Sequence, residues 1–225
     1  MSERISIVID LPTDPEIWNA WFSADQRDPK SWIGCARDLI QYNALSLPSI
    51  ISGWRETVRK DFKVAPPVHL QRVFMMIAAF SFENLLKAKM THLPPWNDAN
   101  VEGKIHSDFK THDLLVLALR AQVELTANET ELLERLKEFA IWRGRYPIPT
   151  DIEAAKPKKL RSGIITTAGS MRGSDPREAQ EFTNRLISNL DGIPGREYLE
   201  MVPIPNPESF DGIVVSPPFR AWKQA

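Results

Sequence analysis

The stretch VHLQRVFMMIAAFSFENLLKAKM, residues 68–90, follows Pro66-Pro67 and decides the fold. Its run from Val73 to Phe80 contains no polar residue, so the helix it forms must be central and covered on most sides. Glu83, Asn84 and Lys87 stand inside this otherwise apolar helix. Glu83 and Lys87 are four apart with the acid first, the favourable order for a helical pair. In a buried helix these groups need partners from a neighbouring helix, and a buried carboxylate can orient an arginine. The alternative is that this end of the helix emerges into solvent and the trio forms an exposed rim.

Amphipathic segments flank this helix on both sides. Towards the N-terminus, Asp28-Pro29 reads as an N-cap followed by proline at the first helical position. Trp32, Ala36, Leu39, Ile40, Ala44 and Leu47 then keep helical spacing. Pro48 is expected to kink or break this helix, with a second piece carrying Ile50, Ile51, Trp54 and Val58 to about Phe62. A small helix from Pro15 to about Ala24 displays Ile17, Trp18, Trp21 and Phe22, and residues 5–9 suit a short strand or an extended arm.

Towards the C-terminus, a long loop runs from His92 to about Lys110. Thr111 is the expected cap of the next helix, with His112 and Asp113 in its first turn and Leu114, Leu115, Leu117 and Leu119 following. Thr126-Ala127-Asn128-Glu129 is a capping-box pattern, in which Thr126 and Glu129 each satisfy the other's backbone donor. Leu132, Leu133, Leu136, Phe139 and Ala140 give that helix one apolar stripe. Gly144 can end it, and Pro147 holds Tyr146 out of the helical region. Beyond Pro147 come a basic block with Lys156, Lys158, Lys159 and Arg161, then a helix from Asp175-Pro176 with Ala179, Phe182, Leu186, Ile187 and Leu190 on a face. A proline-rich tail follows from Gly192. The pattern predicts an all-α protein: an N-terminal arm and short helix over 1–28, an antiparallel bundle over 29–150, and over 151–225 a basic linker, one helix and an extended tail packed on or flanking the bundle.

Composition narrows the functional classes. The 43% hydrophobic content supplies a core, and the formal net charge of −1 argues against a dedicated polyanion coat. A single cysteine, Cys35, excludes an internal disulfide and fits a reducing compartment; its apolar surroundings suggest a small core residue. No apolar run approaches the roughly 20 residues of a membrane span, and Ile5 to Ile9 is too short for a signal-peptide core. A cytoplasmic location without membrane association is the expectation. His92, His106 and His112 show no metal-ligand spacing, no phosphate-binding glycine loop or nucleophile elbow occurs, and no metal or cofactor is expected.

The residues best placed for chemistry form two groups. Trp142-Arg143-Gly144-Arg145-Tyr146-Pro147 presents two guanidinium groups and an aromatic ring at a helix exit. Planar guanidinium donors suit phosphate or carboxylate, although arginines also neutralise the carbonyl end of a helix. His112, at the expected first turn of its helix, is disfavoured as imidazolium by the positive helix end and able to accept a proton, while Asp113 beside it opposes that effect. The bland alternative is a structural or solvated histidine.

Three segments in order, Trp32…Ala36…Leu39, then Ser81-Phe82-Glu83-Asn84-Leu85-Leu86-Lys87-Ala88, then His112-Asp113-Leu114 with Trp142…Arg145-Tyr146-Pro147, resemble the HEPN superfamily over roughly residues 29–150. The resemblance implies a bundle of four to five helices, frequent homodimerisation, and links to RNA cleavage, toxin–antitoxin pairs and phage defence. Active ribonucleases of that superfamily carry an arginine followed four to six residues later by histidine, and no arginine in this chain meets that condition. Three functions are therefore open. The first is a non-catalytic module binding a nucleotide, RNA or a partner protein, with Arg143, Arg145 and Tyr146 holding phosphate and a base. The second is a divergent metal-independent endoribonuclease, with Arg143 or Arg145 stabilising the phosphate, His112 as acid or base and Glu83 in support. The third is a structural protein that dimerises through a helix face.

Overall fold

The computed structural model describes residues 15–61, 63–98, 104–143, 153, 156–159, 165–166 and 171–200. Six α-helices lie among them: α1 (Pro15–Arg27), α2 (Pro29–Arg59), α3 (Val68–Thr91), α4 (Leu114–Arg120), α5 (Ala127–Glu138) and α6 (Asp175–Ser188). The fold is an all-α helical bundle, with a two-residue antiparallel pairing of Lys158–Lys159 and Ile165–Thr166 in the segment before α6.

Helix α3 is the axis of the fold, as its apolar sequence requires. Phe74, Met75, Ala78, Ala79, Phe82, Leu85, Leu86, Ala88 and Met90 are all buried, which places core around most of it, while Val73, Met76, Phe80 and Asn84 mark one face that is exposed or half-buried. Side-chain contacts fix the direction of each neighbour. From α2, Trp54 Nε1 donates to Gln71 Oε1 at 2.7 Å, Asn43 Nδ2 to the Phe74 carbonyl at 3.2 Å, and Trp32 lies against Lys87, so α2 runs antiparallel to α3. From α6, Asp175 meets Gln71, Phe182 meets Phe82 edge-to-face at 4.9 Å, and Asn189 just beyond α6 meets Lys89, so α6 runs parallel to α3. Arg185 pairs with Glu129 and Arg135 with Asp175, which makes α5 antiparallel to α6.

Several sequence expectations hold in detail. Asp28 caps α2 through Lys30 N, with proline in the first turn. The capping box of Thr126 and Glu129 is complete, and Leu132, Leu133, Leu136, Phe139 and Ala140 are buried. On α6, Ala179, Phe182, Leu186 and Ile187 face the core, joined by Leu190 just past the helix.

Three expectations are corrected. Pro48 does not break α2, which runs on to Arg59. Leu47, Ile50 and Ile51 anchor the helix on both sides of it, and Pro48 sits on the exposed face. The missing N–H there costs one helical bond, which the burial of three large side chains outweighs. Cys35 is exposed, because the core stripe of α2 runs through Ile33, Ala36, Ile40 and Leu47 and leaves position 35 on the outer side. Thr111 is not the cap of α4. Asp113 is, accepting from Leu115 N and Val116 N, while Thr111 Oγ1 accepts from Asp113 N. A carboxylate that takes two orphan donors outcompetes a hydroxyl two residues earlier.

The loop after α3 is anchored where it is described. Trp96 Nε1 donates to Asp108 at 3.0 Å, Arg120 holds the same carboxylate, and Phe109 is buried in a stack with Trp32. The expected arm at residues 5–9, Arg161 of the basic block and the tail beyond Glu200 lie outside the described residues.

Candidate functional site

Glu83 and Lys87 settle the question of rim or interior. They are 6% and 4% exposed, well inside the bundle, and Lys87 Nζ donates to Glu83 Oε1 at 2.5 Å. Lys87 also lies 5.2 Å from the centre of the Trp32 ring, close enough for a cation–π contact. Asn84, half-buried, donates to the Phe80 carbonyl and belongs to the helix rather than to the site.

The second oxygen of Glu83 brings in His112. Its Nδ1 lies 2.8 Å from Glu83 Oε2, and about half of the histidine side chain is exposed. His112 therefore stands just before α4, outside its first turn, and a buried carboxylate rather than the helix end orients the ring. With the carboxylate as acceptor, Nδ1 carries a proton, and in the neutral ring that leaves the lone pair on Nε2. No hydrogen bond to Nε2 forms among the described residues. A ring held in this way can accept a proton at Nε2 or, once protonated, donate to a phosphate oxygen.

Asp113, next in sequence, extends the site to α5. Lys137 Nζ bonds its carboxylate across the gap between α4 and α5. Burial pushes the Asp113 carboxyl up, but the Lys137 ammonium and the Val116 and Leu115 amides outweigh it and hold the group below the usual carboxylate range. Lys137 thus ties the His112 edge to the end of α5, where the turn Phe139–Arg143 packs back onto α3. The side chains of Trp142 and Arg143, and Gly144, Arg145, Tyr146 and Pro147 entirely, lie outside the described residues. The structure accordingly brings together Glu83, Lys87, His112 and Asp113 of the expected residues. It adds Trp32 and Lys137, which carried no functional expectation.

A second polar cluster lies at the other end of α3 and is architectural. Asp175 is fully buried and accepts from Arg135, from Arg172 N at 2.6 Å and, at 3.4 Å, from Gln71 Nε2. Burial pushes its carboxyl up despite the pull of Arg135. Arg135 also reaches Glu178 at 3.3 Å. The sequence did carry a signal for this cluster. Position 135 lies between Leu132 and Phe139 on the buried stripe of α5, and a charge there needs a partner.

No family model, characterised protein or solved structure matches the chain. Among the described residues no helix is long and apolar enough to cross a membrane, and no group of three or more histidine, cysteine or acidic side chains is placed to hold a metal ion.

Proposed function

We propose that this chain is a HEPN-like helical module that takes RNA or a nucleotide at the α3–α4 edge. His112 contacts the phosphate there, and the segment Arg143, Arg145, Tyr146 supplies guanidinium and stacking contacts. The observation that carries this reading is the 2.8 Å contact between His112 Nδ1 and the buried Glu83 carboxylate. The contact fixes the orientation of a ring whose side chain is about half exposed, within reach of a ligand. The order of the HEPN-like segments supports the ligand class, and the lack of an arginine followed at short range by histidine supports binding over cleavage. The setting that the resemblance suggests is defence or toxin–antitoxin regulation, with the bundle as a homodimer, and the single cysteine suits a reducing compartment such as the cytoplasm.

The same contact favours one second reading, a metal-independent endoribonuclease. A carboxylate-oriented imidazole is equipped to take the proton of a ribose 2′-hydroxyl attacking the adjacent phosphate.

The test is to incubate the full chain with labelled mixed-sequence RNA, with and without chelator, beside His112→Ala and Arg143→Ala/Arg145→Ala. A gel shift by the parent that both variants weaken at least tenfold, with the RNA intact, is the expected result. Chelator-insensitive cleavage by the parent alone would replace binding with catalysis. Neither shift nor cleavage would remove RNA as the ligand.

A further inference from the structure

A solvent-exposed pair four residues apart contributes little beyond local helix support, but Glu83 and Lys87 are both inside the bundle, and the carboxylate that holds Lys87 also holds His112. We propose that Lys87 is a positioning residue of this site: by cancelling the charge of Glu83 inside the fold, it presents His112 to a ligand as a neutral ring, with its proton on Nδ1 and the Nε2 lone pair unengaged.

The charges around the ring give the reason. From α3 come Glu83 and Lys87, which sum to zero at 2.5 Å. Asp113, next in sequence, is paired with Lys137 from α5, a second pair that also sums to zero. A proton added to His112 would therefore be an unbalanced positive charge at the edge of a buried pair. Removing Lys87 reverses this. The Glu83 carboxylate, poorly solvated and without its ammonium, is then best satisfied by an imidazolium. Trp32 contributes by stacking over Lys87 at 5.2 Å, which favours the charged ammonium in a place with little water. Glu83 Oε1 is thus held by Lys87 while Oε2 stays with His112, so the ring cannot turn without breaking a bond to a fixed carboxylate. Only the statement that Nε2 faces a ligand rests on the function proposed above.

The test reads the ring itself. Nitrogen-15 NMR of the labelled full chain at pH 7.5 distinguishes protonated from unprotonated ring nitrogens. The parent is expected to show a protonated Nδ1 and an unprotonated Nε2. At the same pH, Lys87→Met is expected to show both nitrogens protonated, and Lys87→Arg to restore the parent pattern. An imidazolium or an Nε2-protonated ring in the parent would overturn the proposal, as would a Lys87→Met variant that matches the parent. If Lys87→Met does not fold, Glu83→Leu/Lys87→Met removes both buried charges and the acceptor. The Nδ1-protonated preference should then disappear, and its persistence would contradict the assignment. These spectra need no ligand, so failure of RNA binding and failure of the Lys87 role are separate outcomes.

Discussion

Glu83 touches two residues with opposite requirements, and a single substitution separates them. Glu83→Ala leaves Lys87 as a buried ammonium without its carboxylate, a loss of about 3–5 kcal/mol on the scale of broken buried pairs. Glu83→Leu/Lys87→Met replaces both charges with apolar groups and should stay within about 1 kcal/mol of the parent, since isosteric replacement of buried pairs is often neutral or better. Urea unfolding of the two variants measures this directly. Equal losses in both would mean that Lys87 reaches solvent when its partner is removed. At this scale the sequence was partly legible. The spacing of Glu83 and Lys87 pointed to a pair, but the sequence left open whether it lay inside the bundle or on an exposed rim. The contact with His112 was not legible, because residues 83 and 112 are joined by a loop whose path is set by Trp96, Asp108 and Phe109.

Among the elements, the ends of the helices carry the site. Asp113 both caps α4 and receives Lys137, and Glu129 both completes the cap of α5 and receives Arg185. Burial pushes the Glu129 carboxyl up as well, yet the Thr126 bonds and Arg185 hold it below its usual range. A carboxyl with a depressed folded pKa binds fewer protons folded than unfolded. Its contribution is complete above the ordinary carboxylate value of about 4 and is lost as pH falls through the lower folded value. Denaturant unfolding between pH 6 and pH 2 should therefore show an acid loss of stability that is shallower in Asp113→Asn/Glu129→Gln. An unchanged slope would place the acid sensitivity elsewhere. The capping box was legible because its four residues are contiguous. Continuity through Pro48 was not, since it depends on what Leu47 and Ile50 pack against.

For the whole molecule, α6, the last α-helix among the described residues, is part of the core. Phe182 packs on Phe82, and Asp175 holds Arg135 of α5 and Gln71 of α3. Phe182→Ala is expected to cost about 3–5 kcal/mol, the range for a buried aromatic truncated to alanine. A loss below about 1 kcal/mol, read from thermal or urea unfolding, would mean that α6 only lies over a bundle complete without it. The apolar face of α6 was visible in the sequence, but its partner was not, because the contact spans a hundred positions.

The central claim of the proposed function is that the His112 edge meets the phosphate of an RNA. Nitrogen-15 NMR of the full chain, titrated with a short single-stranded RNA, tests it most directly. The account predicts that the His112 ring signals move and saturate with added RNA, and stay in place when the same RNA is added to Arg143→Ala/Arg145→Ala. RNA that binds while the His112 ring signals do not move, or that does not bind at all, would contradict it.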